Sequence, residues 1–102
     1  MSASVIVQHQ SVGYADKSAA ITAGGTSEEA DAANPGRRGF YVQNISDTVM
    51  YLNFGAAAAA AAGSIHLAAN GGQYIAPATG ITTQSINLFC ATTGKAYTVK
   101  TW

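Results

Sequence analysis

Residues 83–102 read TQSINLFCATTGKAYTVKTW, and this stretch decides the fold class. From Thr83 to Cys90 apolar and polar residues alternate, so that Ile86, Leu88 and Cys90 share one side. From Lys95 onward a second alternation places Lys95, Tyr97, Val99 and Thr101 on one face. Period two is the signature of a half-buried strand, because successive side chains of an extended chain point to opposite faces. Thr92-Thr93-Gly94 supplies the turn between the two runs.

Working back from this pair, Phe40, Val42 and Asn44 fall on one face of a strand and Tyr41 and Gln43 on the other. Ser46-Asp47 carries turn chemistry, and Thr48–Phe54 resumes the alternation with Met50, Leu52 and Phe54 together. These two runs are expected to form a hairpin. Ser64–Leu67 is a short strand with Ile65 and Leu67 inward, Asn70-Gly71-Gly72 is a turn, and Gln73-Tyr74-Ile75 is another short strand. Toward the N-terminus, Val5–His9 reads as a strand and Ala19–Thr22 as a weaker one. In TSEEADAANPG, residues 26–36, Thr26 or Ser27 is suited to cap one helical turn with Glu28 and Glu29 near its positive end. Asn34-Pro35-Gly36 ends whatever precedes it.

Short strands punctuated by glycine turns imply an all-β chain, a small antiparallel β-sandwich or barrel-like domain with an extended N-terminal arm. Residues 1–17 are the expected arm or edge strand, and 18–102 the expected single β-domain. Seven consecutive alanines, Ala56–Ala62, stand between Gly55 and Gly63. A helix of that length is marginal in water even when built of alanine. A helical turn, a close-packed strand and a small-residue loop all remain open, with the loop preferred.

Composition narrows the function. The 102 residues are 48% hydrophobic and only 10% charged, with five Lys+Arg balancing five Asp+Glu. Without a basic field there is no electrostatic footprint for nucleic acid, so no direct nucleic-acid partner is expected. Near-zero net charge also favours association. The first residues have neither a basic n-region nor a long apolar core, so no secretory signal is expected. The apolar window around the alanines is too short to cross a membrane, and no membrane partner is expected.

Catalytic chemistry has a small inventory: His9, His66, Asp16, Asp31, Asp47, Glu28, Glu29 and Cys90, none in a recognisable catalytic frame. Cys90, flanked by Leu88 and Phe89, reads as a small buried residue. His66 points away from its apolar neighbours by period two. No cofactor, metal or catalytic residue is expected, and the chain is read as non-enzymatic. Tyr14, Tyr41, Tyr51, Tyr74, Tyr97 and Trp102 offer aromatic faces, which serve core packing, subunit contacts or a carbohydrate platform. Arg37 and Arg38 suit carboxylate pairing across an interface. The residues expected at an interface are Val5, Ile6, Val7, Arg37, Arg38, Phe54 and Trp102.

The stretches RRGFYVQNISDTVMYLNFG, SIHLAANGGQY and QSINLFCATTGKAYTVKTW resemble small structural proteins of tailed-bacteriophage virions. The resemblance rests on Arg37-Arg38-Gly39-Phe40, Val42-Gln43-Asn44, Tyr51-Leu52-Asn53-Phe54-Gly55, Asn70-Gly71-Gly72 and the terminal Thr93-Gly94-Lys95-Ala96-Tyr97 hairpin. It covers residues 20–102 and leaves out the N-terminal arm. It implies a virion β-domain assembled in the host cytoplasm and placed on the capsid exterior. The implied role is that of a capsid decoration or cement protein that binds the major capsid protein as a homotrimer or homodimer. The alternative is a fibre or tail accessory module that binds host-surface carbohydrate.

Overall fold

In the computed structural model residues 14–77 and 80–102 are described, and among them nine strands form two antiparallel sheets with no helix. The strands are β1 (Ala15–Asp16), β2 (Ala19–Ala20), β3 (Ser27–Asp31), β4 (Phe40–Asn44), β5 (Met50–Phe54), β6 (Ile65–Leu67), β7 (Gln73–Ile75), β8 (Ile86–Cys90) and β9 (Ala96–Thr101). One sheet runs β1-β9-β4-β7, with β2 pairing on the same side of β9 as β1. The other runs β3-β8-β5-β6. The chain is an all-β sandwich. The expected strand at Val5–His9 lies outside the described residues.

The alternation read from the sequence builds the core. Phe40, Val42, Tyr97 and Val99 face inward from the first sheet. Met50, Leu52, Leu67, Ile86, Leu88 and Cys90 face inward from the second. Ile21, just after β2, joins them.

The expected hairpins are corrected by the sheet assignment. β4 pairs with β9 and β7, while β5 pairs with β8 and β6, so the turn at Ser46-Asp47 carries the chain from one sheet to the other. The terminal pair behaves alike: β8 and β9 belong to opposite sheets, and Thr92-Thr93-Gly94 is an arch between them. Asn44 organises the first crossing. Its side chain is fully buried, and its Nδ2 donates to Thr48 O at 2.8 Å and Leu67 O at 3.1 Å. Its Oδ1 accepts from the Ser46 backbone N–H at 3.0 Å and the Ser46 hydroxyl at 2.7 Å. Satisfied in this way, a buried amide specifies one path for the chain where apolar residues would permit several.

The helical turn expected after Thr26 is also replaced. Ser27, Glu28 and Glu29 pair with Phe89, Leu88 and Asn87 as the edge strand β3. The Glu28 carboxylate instead accepts from the Thr22 hydroxyl at 2.8 Å and the Thr22 N–H at 3.1 Å. Long-range pairing with β8 outweighs a local capping preference worth about 1 kcal/mol.

Candidate interaction surface

The two sheets differ on the faces they turn away from the core. In the first sheet, inward Phe40 and Val42 force Tyr41 and Gln43 outward, and inward Val99 forces Thr98 and Lys100 outward. The register places Tyr41 opposite both Ile75 and Lys100, and Lys100 opposite Asp16. One outer row therefore reads Asp16, Lys100, Tyr41, Ile75. Gly72 O accepts from Asn44 N and Ala76 N donates to Phe40 O, so Tyr41 and Ile75 form a non-hydrogen-bonded pair, the arrangement that brings opposed side chains closest.

Trp102 completes this end of the sheet. Its backbone N–H donates to Gly39 O at 3.0 Å, and its carbonyl accepts from Arg38 N at 2.6 Å and Gly39 N at 3.1 Å. The indole lies on Gly39, where a methyl group would overlap the ring, so only glycine leaves room for it. Tyr14 meets Trp102 edge to face, with ring centroids 5.1 Å apart. Tyr14, Tyr41, Ile75, Lys100 and Trp102 line an open concavity of about 430 Å³. Tyr14 is 66% exposed and Ile75 57%.

The Tyr41 hydroxyl and the Lys100 ammonium at the concavity are already paired. The Tyr41 hydroxyl donates to Gln73 Oε1 at 2.8 Å, and Lys100 Nζ lies 3.2 Å from Asp16 Oδ2. Hydrogen bonds from Ser18, followed by the Lys100 ammonium, lower the Asp16 carboxyl to about 2. The patch is therefore apolar at its centre and electrically balanced at its rim.

The second sheet is covered in part. Its outer rows are Ser27, Phe89, Tyr51 and His66, and next to them Glu29, Asn87 and Asn53. Across the second row and onto Ser27 runs the alanine segment, a loop with no helix or strand; Tyr51 packs instead on His66 and Phe89. Asn87 Nδ2 donates to Ala56 O at 2.7 Å, and Asn53 Nδ2 to Ala57 O at 3.0 Å. The Ala58 N–H reaches Ser27 Oγ at 2.9 Å, and the Ala59 N–H reaches Ser64 Oγ at 3.0 Å. The segment thus leaves β5, crosses β8, reaches β3 and returns to β6. It is a strap whose backbone is bound by side chains of the sheet beneath it. Of the seven alanines only Ala58 is buried, at 2% exposure, so hydrogen bonds rather than a row of methyl groups hold the strap.

The residues expected at an interface separate. Trp102 is in the open patch. Arg38 is exposed, with its backbone bonded to Trp102. Phe54 is half-buried at the end of the core, 5.4 Å from Phe40 and 5.6 Å from Tyr74 between ring centroids. Val5, Ile6 and Val7 lie outside the described residues. Arg37 is corrected: its side chain is fully buried. Its Nη2 donates to Asp31 Oδ2 at 2.7 Å and Ala32 O at 2.9 Å, and its Nη1 to Gln84 O at 2.7 Å and Thr82 O at 3.1 Å. The carboxylate expected from another subunit comes from the same chain. The guanidinium carbon also lies 5.8 Å from the Phe40 ring centroid, which joins the two sheets at one corner.

Tyr14 and Tyr41, foreseen only as aromatic faces, join Trp102, whereas Tyr51, Tyr74 and Tyr97 stand elsewhere. Tyr41 was readable as outward from its alternation with Phe40 and Val42. Ile75 and Lys100 carried no such signal, because their place beside Tyr41 depends on which strands pair.

Among the described residues the chemistry-bearing side chains do not converge. Cys90 faces inward in the row of Met50 and Leu67, while His66 faces outward, so the sheet itself separates thiol from imidazole. Asp31 pairs with Arg37, and Asp47 with Lys95 at 2.7 Å. Among the described residues no group of three or more His, Cys, Asp or Glu side chains stands close enough to hold a metal ion, and no helix is long and apolar enough to cross a membrane. Comparison with protein-family models, with curated proteins and with solved structures gives no match to this chain.

Proposed function

We propose that this chain is a non-enzymatic structural protein of a tailed-phage particle, a decoration or cement protein that binds the major capsid protein lattice on the capsid exterior and stabilises the head. The observation that carries this reading is the open patch of Tyr14, Tyr41, Ile75 and Trp102 on a sheet face where Lys100 is paired with Asp16. Aromatic side chains grouped around an exposed apolar centre are the composition of a protein contact. The resemblance of residues 20–102 to phage structural proteins supplies the particle. A standard interface buries about 1,200–2,000 Å² in total, more than this concavity offers, so assembly engages further surface around the patch.

The test adds purified protein to heads that lack it and measures bound copies, together with the temperature at which packaged DNA escapes. Binding at saturable occupancy with a higher escape temperature supports the proposal. A Tyr41→Ser, Trp102→Ser double variant is expected to lower occupancy about tenfold or more, as loss of interface aromatics does. Heads that take up no protein overturn the reading.

The same three rings favour a second reading, a carbohydrate platform on a fibre or tail, with the Tyr41 hydroxyl, Gln73 and Lys100 as its polar rim. Glycan-array binding that disappears in the same double variant would select it over capsid binding.

A further inference from the structure

The first sheet ends in an edge that nothing among the described residues covers. β7 pairs only with β4. Asn44 N donates to Gly72 O and Ala76 N to Phe40 O, so alternate residues of β7 bond to β4. The backbone N–H and C=O groups of Gln73 and Ile75 therefore point away from the sheet. Natural proteins guard such edges with charge, proline or a bulge. β3, one of the two edges of the other sheet, carries Glu28, Glu29 and Asp31 and a register shift between Glu29 and Asp31, while β6, its second edge, is as short as β7 and does not border the aromatic patch. β7 carries no charged residue, and its Ile75 side chain is both 57% exposed and part of the aromatic patch.

The chain itself contains a segment of matching chemistry. Residues 1–13 read MSASVIVQHQSVG, with no Asp, Glu, Lys or Arg and with the β-branched run Val5-Ile6-Val7. They enter the domain at Tyr14, inside the patch. β1 runs antiparallel to β9, with Ala15 opposite Thr101. Followed backward from Ala15, the strand direction passes Trp102 and leaves the sheet at the end where β9 stops. A straight continuation meets no strand of its own sheet. To reach the open side of its own β7 the segment would have to reverse and cross β9, β4 and β7, about 19 Å at ordinary strand spacing.

We propose that the N-terminal segment of one copy adds as a strand to β7 of a second copy, pairing with the backbone of Gln73 and Ile75 and laying Val5 and Val7 beside Ile75. Main-chain hydrogen bonds supply the affinity, and the alternate apolar side chains set the register. This interface joins copies along the β7 border of the open patch, leaves Tyr41 and Trp102 to the capsid contact proposed above, and rests on that reading of the patch as a protein contact. Reciprocal exchange closes a dimer, and head-to-tail exchange closes a ring.

Three full-length proteins test it by sedimentation in the absence of capsids. The unchanged chain is expected to associate. Ile75→Lys, which spoils the accepting edge at an exposed side chain, and Val5→Lys with Val7→Lys, which spoils the donated strand, are each expected to run as folded monomers. When the two variants are mixed, one intact arm and one intact edge remain, and a one-to-one heterodimer is expected to return. Monomeric unchanged protein overturns the proposal, the outcome expected if the segment folds onto its own chain. Variants that still associate alone also overturn it, because another surface then carries the oligomer. Association without capsid binding would refute the virion reading and leave the strand exchange standing, while capsid binding by a monomer would do the reverse.

Discussion

The two outer faces of the sandwich receive opposite treatment from one chain. On the second sheet the chain spends residues 55–64 covering Asn53, Asn87 and Ser27 with a strap. On the first, no described segment lies over Tyr14, Tyr41, Ile75 and Trp102. The difference teaches how coverage works without a second core. A strap needs partners for its backbone, and Ser27, Asn53 and Asn87 provide them from outward strand positions. It also needs small side chains, so that the backbone can approach the sheet, and alanine meets that requirement.

The largest expected effect lies at the joint that both sheets share. Arg37→Leu leaves Asp31 and the carbonyls of Ala32, Thr82 and Gln84 without their donor. It is expected to cost about 3 kcal/mol or more in urea unfolding, because breaking a buried ion pair strands the remaining charge. A loss under about 1 kcal/mol would mean that Arg37 does not tie the sheets together.

Releasing the strap comes next. Asn53→Ala with Asn87→Ala removes the donors to Ala57 O and Ala56 O and should destabilise by about 2 kcal/mol, near the usual worth of two such bonds. Solution association should not change. If association instead weakens, the covered face takes part in assembly and the contrast between the faces fails.

A smaller effect on stability, confined to the open face, is expected from Gly39→Ala. The added methyl group overlaps the indole of Trp102, so the ring must leave its seat. Overpacking of this kind costs about 1–3 kcal/mol, and here the low end applies because the indole lines an open concavity and can shift. Trp102 fluorescence should move to longer wavelength while the alanine strap keeps its amide-exchange protection. An unchanged emission maximum would show that the indole does not depend on Gly39.

The smallest effect is electrostatic. Asp16 has its carboxyl lowered to about 2 by Ser18 and Lys100, from an ordinary value of 3.8. A carboxyl lowered on folding contributes stability above its unfolded value and loses it as pH falls through the folded one. Stability from this pair should be intact above pH 4 and fade toward pH 2. NMR titration of Asp16 checks this, and a midpoint near 3.8 would show that the pair does not hold at the edge of the patch. High salt should weaken the pair, which is solvent-exposed.

Much of the fold was legible because side-chain direction in a strand is a local property. Phe40, Val42, Met50, Leu52, Ile86, Leu88, Tyr97 and Val99 face the core as their alternation requires, and Tyr41 faces outward for the same reason. The turns at Asn70-Gly71 and Gly94 were legible too, since the backbone there has φ of 62°, 118° and 86°. Pairing is not local. Whether the turn at Ser46-Asp47 folds β5 back beside β4 or sends it to the opposite sheet depends on what Asn44 can bond. Its partners at Leu67 and Thr48 are assembled only in the folded chain.

The same division applies to the candidate surface. Sequence alone determined the strand periodicity, the core set, the uncharged composition and the stock of aromatic residues, because each follows from residue type or from a repeat of two. Only the tertiary structure decided that Arg37 is buried against Asp31, that Ser27 to Asp31 pairs as an edge, and that the alanines strap one sheet. It alone brought Tyr14, Tyr41, Ile75 and Trp102 to one open place. Each of these outcomes depends on residues distant in the chain, and the free energy that selects among them comes from contacts that no local segment contains.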